Sequence, residues 1–332
     1  MADTAAYGPV PATEAAAGTR TTTALHRTIF ITLAVGLAVL PFIPVIGYPF
    51  FLMKVLCFAL FACAFNLMLG YGGLLSFGHA AYFGLASYVS AYTAKYWGLT
   101  PELAILLGTG ASAVLGAAFG ALAIRRQGIY FSMITLALAQ MVFFFSLQAP
   151  RFTGGEDGIQ AVPRHNLFGL IPIDSDRACY YLVAVIFFGG ILAIYRIIHS
   201  PFGQVLKAIR DNEPRAISLG YRANQYKLAV FVLSASLAGL AGSTKAVAVQ
   251  LASLTDVHWS MSGEVVLMTL VGGMGTVFGP IIGAVVIISM QNFLASLGAW
   301  VTVVQGAIFV VCVLLFREGI VGVISKVLRR PL

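Results

Sequence analysis

Residues 265–316 read VVLMTLVGGMGTVFGPIIGAVVIISMQNFLASLGAWVTVVQGAIFVVCVLLF, 52 consecutive positions without Asp, Glu, Lys or Arg. A membrane-crossing helix needs about 20 mainly apolar residues, so this run alone has room for two or more crossings. The rest of the chain agrees: 59% of its 332 residues are apolar and 10% are charged, where soluble domains carry about 25% charged residues. Charge-free runs divide the sequence into about ten apolar segments, at 28–46, 50–69, 80–97, 102–124, 129–148, 178–198, 227–250, 261–275, 279–297 and 300–316. In lipid only helices or closed barrels satisfy the backbone, and these runs are too long and continuous for barrel strands. The expectation is an all-α polytopic membrane protein with some segments discontinuous.

Lys and Arg orient it. From a cytoplasmic N-terminus the threading gathers Arg125, Arg126, Arg196, Lys207, Arg210, Arg215, Arg222, Lys227 and Arg317 on one side. The other keeps Lys95, Arg151, Arg164 and Arg177, the last three among Glu156, Asp157, Asp174 and Asp176. This asymmetry predicts both termini in the cytoplasm of a bacterial inner membrane. It predicts a disordered cytoplasmic tail over 1–27, a membrane domain over 28–317, a periplasmic loop over 150–177, a cytoplasmic loop over 199–227 and a cytoplasmic tail over 318–332. The run after Arg27 exceeds a signal-peptide core and lacks a clear cleavage site, so it reads as the first membrane helix. The net charge of +8 sits between apolar segments, which points to membrane orientation and lipid contact rather than to nucleic acid. Cys57, Cys63, Cys179 and Cys312 lie in or beside apolar runs without metal spacing and read as small core residues. No metal or cofactor is expected.

Two stretches interrupt the pattern. Gly70-Tyr71-Gly72-Gly73-Leu74-Leu75-Ser76-Phe77-Gly78-His79 separates the second and third segments, and Gly272-Gly273-Met274-Gly275-Thr276-Val277-Phe278-Gly279-Pro280 the eighth and ninth. Each runs Gly-Gly, then Phe-Gly, then a further apolar run, a weak internal repeat. Paired glycine breaks in two halves point to discontinuous helices around a translocation path; they also suit close helix packing. Path candidates are Gly72, Gly73, Ser76, His79, Glu264, Gly272, Gly273 and Thr276. Gly273→Leu is expected to impair transport more than Gly116→Leu, with Gly116 in an ordinary packed helix. Lys54 and Lys245 fit snorkelling to an interface, and Asn66, Gln140 and Gln291 fit interhelical hydrogen bonds.

Residues 199–227, HSPFGQVLKAIRDNEPRAISLGYRANQYK, form the longest polar interruption on the basic side. Ser200-Pro201 reads as a helix start. Val205, Leu206 and Ile209 share a face opposite Lys207 and Arg210. After Pro214, the patch Ala216, Ile217 and Leu219 closes at Gly220 as a C-cap. Two short amphipathic helices outside the membrane suit docking to a partner protein, or lying on the bilayer.

SPFGQVLKAIRDNEPRAISLG (200–220), AVFVLSASLAGLAG (229–242), GYGGLLSFGHAAYFGLASY (70–88) and FTGGEDGI (152–159) together resemble the LivM-type permease family of bacterial branched-chain amino acid ABC importers. The resemblance runs from about Leu56 to Gly322. It implies a permease that works with a LivH-type permease, two cytoplasmic ATPase subunits and a periplasmic solute-binding protein. It implies that Glu213, Ala216 and Gly220, with Pro201 and Arg210 beside them, form the ATPase-coupling region. The standard small residues of such loops are replaced by Pro214-Arg215. The chain has no GxxxxGK[ST] loop, so ATP hydrolysis is expected from separate subunits. No catalytic constellation stands out. The alternative is an ion-coupled secondary transporter of a small polar solute, for which Glu264 is the candidate membrane carboxylate.

Overall fold

α2 (Pro49–Tyr71) and α10 (Ala223–Val249) form the centre of the molecule. Of their most apolar stretches 89% and 72% is buried, against 39%, 33% and 39% for α4 (Pro101–Ala123), α5 (Ile129–Gln148) and α7 (Asp176–Ile198). A helix apolar on every side belongs inside, and α2 carries only Lys54 and Asn66 as strongly polar side chains. These five helices are each long and apolar enough to cross a membrane. In this computed structural model the described residues are 28, 30–42, 48–169, 172–173, 175–294, 300, 303–304, 306–307, 310 and 319–322. The expected segment 300–316, both tails and Cys312 fall largely or wholly outside them. The remaining elements are α1 (Phe30–Phe42), α3 (His79–Tyr96), α6 (Pro150–Thr153), α8 (Pro201–Asp211), α9 (Glu213–Ser218), α11 (Trp259–Gly272) and α12 (Gly279–Leu294). The chain is an all-α polytopic membrane protein.

Small residues let α3, α4 and α10 pack backbone to backbone. A methyl group on Gly116 would lie 2.5 Å from the Ala235 Cβ, so Gly116 lies in a packed helix at a contact too close for a side chain. Serine hydroxyls tie α10 to two neighbours: Ser112 Oγ of α4 donates to the Ala235 carbonyl at 2.7 Å, and Ser234 Oγ donates to the Ala64 carbonyl of α2 at 2.6 Å. Such interhelical bonds replace the hydrophobic drive that lipid cannot supply.

The two ends of the bundle differ. At one end, strand β1 (Ile159–Gln160) pairs antiparallel with β2 (Leu251–Ala252), just beyond α10. Arg164 donates there to Asp176 at 2.7 Å and to the Ala248 carbonyl at 2.6 Å, and Lys95 to the Gln160 carbonyl at 2.7 Å. The opposite end carries α8 and α9.

Candidate functional site

The α8–α9 platform forms for local reasons. Ser200 caps α8 by accepting from the Gly203 amide at 3.3 Å, with Pro201 in the first turn. Asn212 caps α9, accepting from the Arg215 amide at 3.1 Å. α9 ends in a Schellman motif: the Gly220 amide donates to the Ile217 carbonyl at 2.9 Å and the Tyr221 amide to the Ala216 carbonyl at 3.2 Å. Gly220 has φ 89° there, which favours a residue without Cβ. The Ala216–Ile217–Leu219 patch divides. Ala216 is buried with Ile209 and Ala223 in a small separate core, so it packs the platform and forms part of the floor of a groove. Ile217 and Leu219 are 55% and 70% exposed. A groove of about 310 Å³ runs beside them, lined by Asp211, Asn212, Arg215, Ala216, Leu219 and Tyr221 among others.

The platform meets the first glycine break. α2 is regular to Asn66, then opens into a π-turn over Leu67–Tyr71, a local widening common at functional sites. Arg210 Nη1 donates to the Gly70 carbonyl at 2.5 Å and holds Asp211 with its other nitrogens at 3.0 and 2.8 Å. A side chain on Gly73, whose φ is 67°, would lie 2.8 Å from Arg210 Cγ. Lys207 stands over the Tyr71 ring at 5.5 Å, and burial, then the nearby Arg210, lower its ammonium below the ordinary lysine range. Gly72, Gly73, Gln127, Arg210, Glu213 and Lys227 line a cleft of about 180 Å³. In it Lys227 Nζ donates to Glu213 Oε1 at 2.6 Å and Gln127 Nε2 to Glu213 Oε2 at 3.1 Å. Two path candidates and two coupling candidates thus share one polar cleft.

The second break abuts the first. α11 stops at Gly272 and the chain turns through Gly273 (φ 122°) and Gly275 (φ 79°) before α12. With 14 residues, at about 1.5 Å each, α11 is roughly 21 Å long, short of a ~30 Å hydrocarbon core. Asn66 Nδ2 donates to the Thr276 carbonyl at 2.8 Å, and the Gly275 amide donates to Asn66 Oδ1 at 2.9 Å. Ser76 and Thr276 are occupied within their own turns. Ser76 Oγ accepts from the Gly78 amide at 3.1 Å, and Thr276 Oγ1 bridges the Gly273 carbonyl and the Gly279 amide at 2.8 and 3.1 Å. Gly272 packs on the Gly279 backbone. His79 is buried, 2.8 Å from Ser234 Oγ and edge-on to Phe65. Pro201, Gly220 and Glu264 lie outside the cleft; Glu264 in α11 is half-buried and hydrogen-bonds Gln291 of α12.

Sequence reasoning did not select Asn66, Gln127, Asn212 or Lys227 for the site. The available signal for Asn66 was its position as one of two strongly polar side chains in α2. Lys245 does not snorkel: it is buried against Asp256 at 2.6 Å and donates to the Leu251 carbonyl at 3.4 Å.

Residues 48–313 match the family described as branched-chain amino acid transport system / permease component. The chain is 27% identical over 277 residues to the high-affinity branched-chain amino acid transport system permease protein LivM of Salmonella typhimurium. It is 26% identical to the Escherichia coli protein of the same name. Each match covers 77% of this chain and 65% of the relative, so the chain spans about two thirds of the length of those curated relatives. A shorter match, 31% over 127 residues, covers 36% of this chain and 39% of the ribose import permease protein RbsC of Bacillus subtilis. No solved structure matches. With the match extending over most of its length, the chain belongs to the permease-component family of branched-chain amino acid transport systems.

Proposed function

We propose that this chain is a membrane-spanning subunit of an ATP-driven importer that forms the translocation path for branched-chain or related amino acids. Its partners are a second, LivH-type permease, two cytoplasmic ATPase subunits and a periplasmic binding protein that delivers the solute. The α8–α9 face is cytoplasmic, with both termini, and residues 150–177 face the binding protein. The observation that carries the reading is the direct contact between α8 and a break in a central helix. Arg210 reaches the Gly70 carbonyl while Ile217 and Leu219 stand exposed on and just after α9. A force applied to that platform by a nucleotide-driven partner has a short route into the bundle. The named relatives, both LivM permeases of branched-chain amino acid systems, support the substrate class.

The test is purification of the chain from its native membrane, followed by reconstitution of what co-purifies. A soluble ATPase is expected in the complex, and leucine uptake into vesicles is expected to require ATP and the binding protein. Uptake that follows an ion gradient without ATP would replace this reading with that of a secondary transporter. A cysteine at Asp157, exposed in the 150–177 loop, should react with an impermeant reagent from outside; labelling only after the inner membrane is opened would invert the topology.

A further inference from the structure

We propose that Asn66 is a positioning residue that fixes the second glycine break to the first, so that α8, through Arg210, carries both breaks as one rigid unit. The side chain is 3% exposed and ends the regular part of α2, where the π-turn begins. Its amide is used on both sides. The donor nitrogen takes the Thr276 carbonyl at 2.8 Å and the acceptor oxygen takes the Gly275 amide at 2.9 Å. Two opposed bonds to successive residues of one turn fix that turn's position and its rotation together. Sliding or turning the second break past α2 must break at least one of them, leaving a buried polar group without a partner.

The backbones are also in contact beside this clasp. A methyl group on Gly70 would fall 2.7 Å from the Gly275 nitrogen and 2.9 Å from its Cα, so no side chain fits between the two breaks. Gly70 is the residue whose carbonyl Arg210 holds. The links run in series: α8, Arg210, Gly70, the Gly70–Gly275 contact with the Asn66 clasp, then Gly275 and Thr276. The second break is tied onward to α12 through the bond of Thr276 Oγ1 to the Gly279 amide at 3.1 Å. A displacement of α8 therefore reaches two helix pairs, α2–α3 and α11–α12, from one guanidinium. Spatial adjacency alone does not establish coupling, so the test reads relative motion and energetic coupling.

Spin labels at Gln204 on α8 and Met274 in the second break, both exposed, report the distance across the clasp in the full chain. In otherwise native protein the distribution is expected to be single and narrow, and unchanged when the ATPase partners and nucleotide are added. Asn66→Leu is expected to broaden it at least twofold. A native distance that shifts with nucleotide, or an Asn66→Leu distribution as narrow as the native one, overturns the proposal. The nucleotide comparison and the second arm rest on the importer reading; the second arm measures leucine taken up per ATP hydrolysed. Asn66→Leu and Arg210→Met are each expected to lower that ratio about tenfold. The double variant should fall no more than about twofold below the worse single, because links in series fail together. A roughly hundredfold, multiplicative loss overturns the proposal. If Asn66→Leu does not fold, Asn66→Ala serves instead: it loses both bonds to the second break with a smaller side chain, and should lower the ratio to the same extent. An unchanged ratio in that variant counts against the clasp. A native complex without ATP-driven uptake would overturn the importer reading, while the distance arm would still decide the clasp.

Discussion

The two ends of α10 carry the same chemistry in different surroundings. Lys227 meets Glu213 at 2.6 Å near one end, and Lys245 meets Asp256 at 2.6 Å near the other. The side chains of the second pair are 7% and 4% exposed, against 8% and 20% for the first. Asp256 is local: the chain leaves α10 at Gln250 (φ 58°) and returns through a short 3₁₀ turn, where the Ser253 amide also donates to the carboxylate at 3.2 Å. Glu213 is not local in this sense. It belongs to α9, accepts as well from Gln127 in the α4–α5 connection, and faces the cleft. One pair closes the exit of a central helix; the other joins three segments and stays partly open to solvent.

That difference should appear first in stability. Lys245→Met removes the cation and leaves Asp256 buried without its counter-charge, a change that costs about 3–5 kcal/mol in comparable buried pairs. Unfolding of the purified chain in mixed micelles should show the largest loss of any substitution considered, and Lys245→Met combined with Asp256→Leu should recover part of it. A loss under about 1 kcal/mol would mean that water reaches this pair and that the two ends are alike.

The next effect tests a contrast that the sequence leads one to expect and to which the structure adds a second source of damage. Gly273→Leu was expected to harm transport more than Gly116→Leu, yet Gly116 faces Ala235 at a distance that excludes even a methyl group. Alanine separates the causes. Gly273→Ala strains a residue at φ 122° and costs about 1–3 kcal/mol; Gly116→Ala overpacks a seam at about the same cost, ~1–3 kcal/mol. Stability should therefore fall similarly in both, while uptake per folded complex falls only with Gly273→Ala. Equal uptake losses would show that the break has no role beyond packing.

The spans were legible because lipid imposes a simple rule on composition: the expected 129–148 and 279–297 became α5 (Ile129–Gln148) and α12 (Gly279–Leu294). The caps at Ser200 and Gly220 were legible because serine and glycine have local backbone reasons to stand there. Side-chain direction was not. The apolar patch after Pro214 gave no means of knowing that Ala216 turns inward while Leu219 turns out. Ser76 and Thr276 read as path-lining hydroxyls because sequence does not show that each is occupied by its own turn. Lys245 read as snorkelling because its partner arrives eleven residues later through a reversal that only Gln250's left-handed backbone marks. Asn66 was expected to bridge helices; that it joins the two glycine breaks required their meeting in space, some 210 residues apart.

Lys227→Met sharpens the comparison further. Glu213 keeps Gln127 and partial contact with solvent, so the loss should sit near the lower limit for a hydrogen bond to a charged group, about 1.5 kcal/mol. The same assay as for Lys245→Met checks it. A loss as large as at Lys245 would make both pairs closed structural clamps and remove the distinction drawn between the ends.

The smallest change in stability should accompany one of the largest changes in function. Leu219 is 70% exposed on the outer side of α9, and a surface substitution without buried partners stays within about 0.5 kcal/mol. Leu219→Asp should therefore leave unfolding unchanged. A large apolar side chain next to a groove bordered by Asp211, Asn212 and Arg215 is nevertheless what a protein partner buries, and truncating an interface anchor costs about 2 kcal/mol or more of binding. On the proposed reading the ATPase subunit should then dissociate at least thirtyfold more readily, and ATP-driven uptake should fall with it. Phe168 supplies the control: it is 68% exposed in the loop at the opposite end, so Phe168→Asp should leave ATPase retention untouched. Retention unchanged by Leu219→Asp, or lost equally with Phe168→Asp, would mean that the α8–α9 face is not where the ATPase docks, and the open end of α10 would need another partner.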